Sequence, residues 1–177
     1  MKALETERLI LEPIELKHCT PNYLGWLNDP EVYRWLETRG CQTMPMLKDF
    51  VQQHLDKKTY MWAISIKNDW KHIGNIKMDP INERHGLGEF GILMGEKSEW
   101  GKGYANEASK RIMDYFFEKE DPLRKITLGV VEQNLAAVKL YKKLGFEIEG
   151  LFKDHLNYDG IYYSVVRMAK FNPYYAQ

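Results

Sequence analysis

Apolar residues along this chain follow two spacings, and each spacing predicts one kind of element. Arg8-Leu9-Ile10-Leu11-Glu12-Pro13 reads as a short strand stopped by its proline. From residue 20 to residue 37 the apolar positions are Leu24, Leu27, Val32, Trp35 and Leu36, interrupted by Asn28-Asp29-Pro30. That pattern predicts two short helices, the second capped by Asp29 with Pro30 at its first position. Another helix is expected over residues 46–55. Met61-Trp62-Ala63-Ile64-Ser65-Ile66, the polar turn Asn68-Asp69, and the alternating His72-Ile73-Gly74-Asn75-Ile76-Lys77-Met78 read as a hairpin. Glu89-Phe90-Gly91-Ile92-Leu93-Met94 is a third strand, mostly apolar and so expected to be central. The glycines at 86, 88, 91 and 95 around it signal a bulge or a close backbone approach.

Past residue 100 the helical period takes over. Residues 105–117 place Ala105, Ala108, Ile112, Tyr115 and Phe116 on one face. A strand over 125–131 follows, then a helix over 134–144 that aligns Ala137, Leu140, Tyr141 and Leu144 and ends on Gly145. Two last strands, 146–156 and 161–171, flank Asn157-Tyr158-Asp159-Gly160. The order is a short strand, helices, an antiparallel meander, β-α-β-α and a closing hairpin, which predicts an α/β sandwich on a mixed sheet. No repeat, low-complexity stretch or Gly/Ser/Pro linker divides it, so 1–177 is expected to be one domain.

Composition narrows the function classes. Twenty-five basic and 25 acidic residues cancel, so no global field draws in nucleic acid or an anionic membrane. No stretch approaches the roughly 20 apolar residues of a membrane span, and charges occupy the place of a signal peptide's apolar run. Cys19 and Cys41 lie far apart, as free, partly buried thiols of a reducing cytosol rather than a metal pair. A cytoplasmic protein without metal is expected. The aromatic C-terminal end, Phe171-Asn172-Pro173-Tyr174-Tyr175, suggests a homodimer contact.

One turn carries candidate chemistry. Trp100-Gly101-Lys102-Gly103-Tyr104-Ala105 stands between an expected strand and an expected helix. Glycines there let backbone N–H groups face a ligand, and a helix N-terminus adds partial positive charge, which together make an anion cradle. Lys102 adds a counter-charge at its rim. A plain strand-to-helix turn explains the same residues. A dinucleotide fingerprint fails, because Asn106 replaces the third glycine, and no Gly-Lys-Ser/Thr of a Walker loop follows.

With these residues the chain resembles the GNAT superfamily (GCN5-related N-acetyltransferases) over nearly its whole length. That family's pyrophosphate signature, Gln/Arg-x-x-Gly-x-Gly/Ala, corresponds to Trp100-x-x-Gly103-x-Ala105, with Trp100 departing from Gln/Arg. The second signature is Asn134-x-x-Ala137-x-x-Leu140-Tyr141-x-x-x-Gly145-Phe146. Thr6-Glu7-Arg8-Leu9-Ile10-Leu11 and Trp26-Leu27-Asn28-Asp29-Pro30-Glu31-Val32 look like the opening of the branch of ribosomal-protein N-terminal (RimJ/RimL-type) and bacterial amino-sugar acetyltransferases. The resemblance implies a mixed, mostly antiparallel central sheet flanked by helices, with two central strands splayed. It implies acetyl-CoA as the acetyl donor, transferred directly to a primary amine. The cofactor would meet Trp100, Gly101, Lys102, Gly103, Tyr104 and Ala105 at its pyrophosphate, the backbone of Leu93 and Met94 along its pantetheine, and Asn134.

Such transfer needs a positioned thioester, a neutral amine, a proton acceptor and a donor for the leaving thiolate. Tyr141 is the candidate acid, protonated at neutral pH; its plainer reading is a core aromatic. Glu89 is the candidate base, if desolvation raises its pKa; its plainer reading is a strand-end carboxylate paired with Lys or Arg. His72, His85 and His155 are rival bases, of which His85 reads as an exposed loop residue. Lys139, Lys142 and Lys143 form a solvated face or reach the cofactor's ribose phosphate, and Tyr33, Trp35, Tyr158, Tyr162 and Tyr163 are candidates to line the acceptor pocket. The expected partner is a small-molecule amine such as a nucleotide-linked amino sugar, with a protein N-terminus as the alternative and an acetyl-CoA-binding regulatory domain as the non-enzyme alternative. An acidic open groove would favour a peptide, and an aromatic pocket with a phosphate-binding rim a nucleotide sugar.

Overall fold

The strand Tyr60–Ile66 (β3) is the buried centre of the first half of the chain in the computed structural model, which describes residues 1–175. Met61 to Ser65 are all buried, as a continuous apolar run requires partners on both faces. Antiparallel partners lie on either side: Leu9–Pro13 (β2) sets Leu11 opposite Ile64, and His72–Asn82 (β4) sets Gly74 opposite Ile64. Leu4–Glu5 (β1) adds a short outer strand that the pattern of the sequence did not foretell, because two residues carry no period.

Three helices cover this sheet, and each starts where a capping side chain allows it. Pro21–Asn28 (α1), Pro30–Tyr33 (α2) and Met44–Asp56 (α3) are capped by Thr20, Asp29 and Thr43, each accepting from a backbone N–H of the first turn, and each has proline at N1 or N2. Their apolar faces bring Tyr23, Trp26, Leu27, Val32, Leu47 and Val51 onto Ile14, Met61 and Ala63. Leu87–Met94 (β5), Tyr104–Glu118 (α4), Lys125–Val131 (β6), Leu135–Lys143 (α5), Glu147–Tyr158 (β7) and Ile161–Phe171 (β8) complete the chain. Strands hydrogen-bond in the order β1-β2-β3-β4-β5-β6-β8-β7. This is the mixed, mostly antiparallel sheet of the expected class.

The chain packs as two units, residues 1–79 with 91–111 and residues 80–90 with 112 onward. In the second, β5 and β6 run parallel through only three pairs, Leu87↔Lys125, Gly88↔Ile126 and Glu89↔Thr127. There the ladder ends, while β6 stays paired with β8 up to Val131↔Val165. The closing hairpin turns at Asp159-Gly160, tighter than the four-residue turn expected, since both residues adopt positive φ. Lys153, Asp154 and His155 bulge out of β7 opposite the single residue Ser164, whose hydroxyl accepts from the Asp154 N–H. Phe171, Tyr174 and Tyr175 of the C-terminal end are exposed, as are Ile148, Leu151 and Phe152 on β7.

Asn172 pins the end of β8 inside this second unit. Its amide donates to the carbonyls of Phe117 at 3.1 Å and Leu123 at 3.0 Å, and the residue is buried. Replacing it leaves two buried carbonyls unpaired, so Asn172→Ala is expected to lower unfolding free energy by about 2 kcal/mol. Urea denaturation followed by circular dichroism measures the loss.

Candidate active site

The glycine turn is built as an anion cradle requires. Gly101 and Gly103 have φ of 76° and 85°, in the left-handed region that side chains avoid. α4 begins directly after them, and Glu107 N–H makes the first helical bond, to the Gly103 carbonyl. None of the N–H groups of residues 101–106 donates to another group among the described residues. Six donors and the positive end of a fifteen-residue helix are therefore free for an oxyanion.

Two anchors hold the turn in that form, and neither was visible in the sequence. Trp100, which departs from the family's Gln/Arg, donates its indole N–H to the Met94 carbonyl at 2.9 Å and ties the turn to the end of β5. Glu107, in the first turn of α4, receives Thr6 Oγ1, the Arg8 backbone N–H at 2.9 Å and the Arg8 guanidinium at 2.6–2.7 Å. Burial opposes its charge, but these bonds prevail and hold the carboxyl below its ordinary range. Arg8 also donates to the Lys102 carbonyl at 3.0 Å and lies 4.4 Å from the centre of the Tyr104 ring. Lys102 itself turns to Glu99 at 2.8 Å. Arg8, just before β2 and about a hundred residues away in sequence, thus lays its guanidinium against the turn.

In the second unit, Asn134 caps α5 by accepting from the Ala137 N–H at 3.3 Å. The helix ends with Gly145 at φ 86°, its N–H bonded to the Lys142 carbonyl and the Phe146 N–H to the Tyr141 carbonyl, a Schellman ending. That ending seats Phe146 on Tyr141 with ring centres 5.9 Å apart, and Phe90 packs on Tyr141 at 6.1 Å. Burial pushes the Tyr141 phenol up to about 12, and its hydroxyl has no hydrogen-bond partner among the described residues.

Glu89 lies elsewhere. Its two carboxylate oxygens each take a 2.8 Å bond from Arg167, and Thr127 Oγ1 donates at 2.6 Å. The pairing raises the Arg167 guanidinium. Because successive residues of a strand point to opposite faces, Glu89 and Phe90, the neighbour that touches Tyr141, face opposite ways. The two candidate catalytic side chains are therefore not brought together. Among the rival bases, His155 is exposed on the β7 bulge against Phe152, and His85 ends an exposed turn. Lys139, Lys142 and Lys143 are exposed, with the last two at the C-terminal end of α5 where cations complement the helix dipole.

Within the first unit, a cleft of about 320 Å³ runs between α1 and the turn after β5, lined by Gly25, Trp26, Asp29, Gly95, Glu96 and Lys97 among others. Trp26 lies so close to Gly95 that any Cβ there would stand 2.0 Å from the indole. A β-bulge at Ile73 frees its carbonyl to accept from Gly95 and Glu96, which fixes the turn. Lys97 Nζ bridges Asp29 at 2.7 Å and Glu31 at 3.0 Å. Of the aromatic residues proposed for an acceptor pocket, none lines this cleft; Trp26 does. Tyr33 packs on Gly40, and Tyr158 is buried against Tyr163.

Behind Trp26 sits a polar cluster. His72 lies 4.9 Å from the Trp26 ring and 5.7 Å from His18, and Nδ1 of His72, Nε2 of His18 and Nδ2 of Asn75 are buried without hydrogen bonds among the described residues. Burial drives the His72 imidazole down to about 4. A histidine of folded pKa below its unfolded value resists protonation, so its stability contribution is complete above about pH 6.5 and is lost as pH falls toward 4. Acidification over that window is expected to lower the urea midpoint of the wild type more than that of His72→Gln, as measured by fluorescence at each pH.

Comparison with known proteins supplies the family. Residues 8–147 match the acetyltransferase (GNAT) domain family. The chain is 30% identical to the uncharacterized N-acetyltransferase p20 of Bacillus licheniformis, over 88% of each chain. It is 29% identical to the spermidine N(1)-acetyltransferase of Escherichia coli K12, over 84% of this chain and 78% of that one. Its fold matches the crystal structure of spermidine N-acetyltransferase from Vibrio cholerae in complex with CoA and spermine, with a TM-score of 0.84 at 24% identity, covering 94% and 97% of the two chains. RimL, a ribosomal L7/L12 N-acetyltransferase in complex with coenzyme A, matches with a TM-score of 0.84 at 16% identity, covering 96% and 97%. By this family match the chain belongs to the GNAT acetyltransferases and uses acetyl-CoA as its donor.

Proposed function

We propose that this N-acetyltransferase moves acetyl directly onto the primary amine of a small, positively charged acceptor bound in the cleft along α1. The observation that carries this is Lys97, an ammonium held between Asp29 and Glu31 at a rim that Glu96 also lines. An acceptor with a second ammonium meets the same carboxylates and takes the same kind of bond. A nucleotide diphosphate would meet those carboxylates as like charges, which argues against the amino-sugar nucleotide. The relatives named for spermidine support the cationic class. A peptide's N-terminal ammonium suits an acidic rim as well and is the second reading.

Each site residue then has a physical role. The free amides of Gly101, Lys102, Gly103, Tyr104 and Ala105 take the cofactor's pyrophosphate, with Trp100 and Arg8 holding the turn in shape. The backbone of Leu93 and Met94 and the side chain of Asn134 bond the pantetheine arm. An N–H of that backbone polarises the thioester carbonyl. Tyr141 hydrogen-bonds the departing thiolate; with its phenol near 12 it stays protonated and stabilises the charge rather than surrendering its proton outright. Glu89, bonded by Arg167 and Thr127 and facing away from Tyr141, takes no part in proton transfer; the amine loses its proton to solvent water.

Two variants and a panel test this reading. Tyr141→Phe is expected to lower kcat about 100-fold with the KM for acetyl-CoA unchanged, read as free thiol released. Arg8→Ala is expected to raise the KM for acetyl-CoA roughly tenfold, a change of about 1.4 kcal/mol, by loosening the turn. Polyamines, monoamines, amino-sugar nucleotides and N-terminal peptides are compared under the same assay. Higher kcat/KM for an amino-sugar nucleotide than for any di- or polyamine would overturn the proposed acceptor class.

A further inference from the structure

Gly25 occupies the interior of α1, where glycine destabilises a helix relative to alanine. The usual reasons for keeping one are missing. Its backbone does not lie in the positive-φ region, and a Cβ built on it would meet nothing within 4 Å. Gly95, on the opposite wall of the same cleft, is the contrasting case, because there the Trp26 indole fills the space. The fold thus requires a glycine at 95 and does not require one at 25. What Gly25 does provide is room, since the Cβ it lacks would project into open space at the cleft wall.

We propose that Gly25 is a specificity-determining residue, keeping the α1 wall of the acceptor cleft bare so that the body of an elongated amine lies along it. The inference rests on the reading of this cleft as the acceptor site. An acceptor chain would run past Gly25 between the Trp26 indole and the carboxylates of Asp29 and Glu96, with its far ammonium near the place that Lys97 Nζ now holds. A side chain at 25 would shorten this path from one side without touching the glycine turn. Long acceptors would then suffer and short ones be spared.

Gly25→Ala and Gly25→Leu, both good helix formers, test this on the whole protein. The expected result is a Tm at or above that of the wild type, an unchanged KM for acetyl-CoA, and a KM for a long polyamine raised severalfold by alanine and more than tenfold by leucine. The KM for a short monoamine should stay within twofold. Equal KM values for the long amine in wild type and Gly25→Leu would overturn the proposal while leaving the acceptor class intact. Equal losses for long and short amines would overturn it too. If the wild type acetylates no amine of the panel, the acceptor reading fails and the role of Gly25 fails with it.

Discussion

The carboxylate of Glu107 is the interaction on which the shape of the glycine turn depends. It stands in the first turn of α4, where its charge suits the helix dipole, yet its bonds go to Thr6 and Arg8, both just before β2. By holding the Arg8 guanidinium it also directs a donor at the Lys102 carbonyl. A carbonyl so engaged leaves the amides of the glycine turn as the free partners. An exposed ion pair on a surface contributes little. This one combines two guanidinium bonds, a backbone bond and a hydroxyl around a carboxylate whose side chain is 18% exposed, and its effect is geometric, because it fixes where α4 starts.

The cleft along α1 rests on a different constraint, the close approach of Trp26 to Gly95. The indole is held from behind by His72 and from below by Tyr23, at ring separations of 4.9 and 5.6 Å. A polar cluster so near an aromatic wall costs stability unless its nitrogens are satisfied, and three atoms here lack hydrogen bonds among the described residues, His18 Nε2 having only the Glu12 carboxylate at 3.7 Å. Water of the buried kind suits such positions. The neutral state of His72 therefore belongs to the shape of the cleft as well as to stability.

Much of this was legible in the sequence where cause and effect are close together. Asp29 before Pro30, Thr20 before Pro21, and the run from Asn134 to Phe146 act within one helix, so caps and turns could be read residue by residue. The glycine turn was readable as a strand-to-helix turn, though not as a tethered one. Arg8 and Glu107 lie about a hundred positions apart, and nothing local marks them as partners. Glu89 was read with a strand-end pairing as one of its options, and Arg167 is that pair; only the sheet order, which places β6 between β5 and β8, brings the two side chains within reach. Trp26 and Asp29 of the cleft lie in the stretch that the resemblance singled out, whereas Gly25 was missed, since Gly25 and Gly95 are indistinguishable as letters and opposite in their surroundings.

The Schellman ending of α5 has a consequence for how variants of this protein would be interpreted. Gly145 is exposed and belongs to neither the glycine turn nor the cleft, yet its left-handed backbone is what seats Phe146 against Tyr141. A side chain forced there strains the cap and lets the phenol shift, while most of the core stays unchanged. On the role proposed for Tyr141, a screen scored on turnover alone would group such a variant with the active-site mutants. Distance from the chemistry is thus a poor guide here to which positions a mutational map will mark as intolerant.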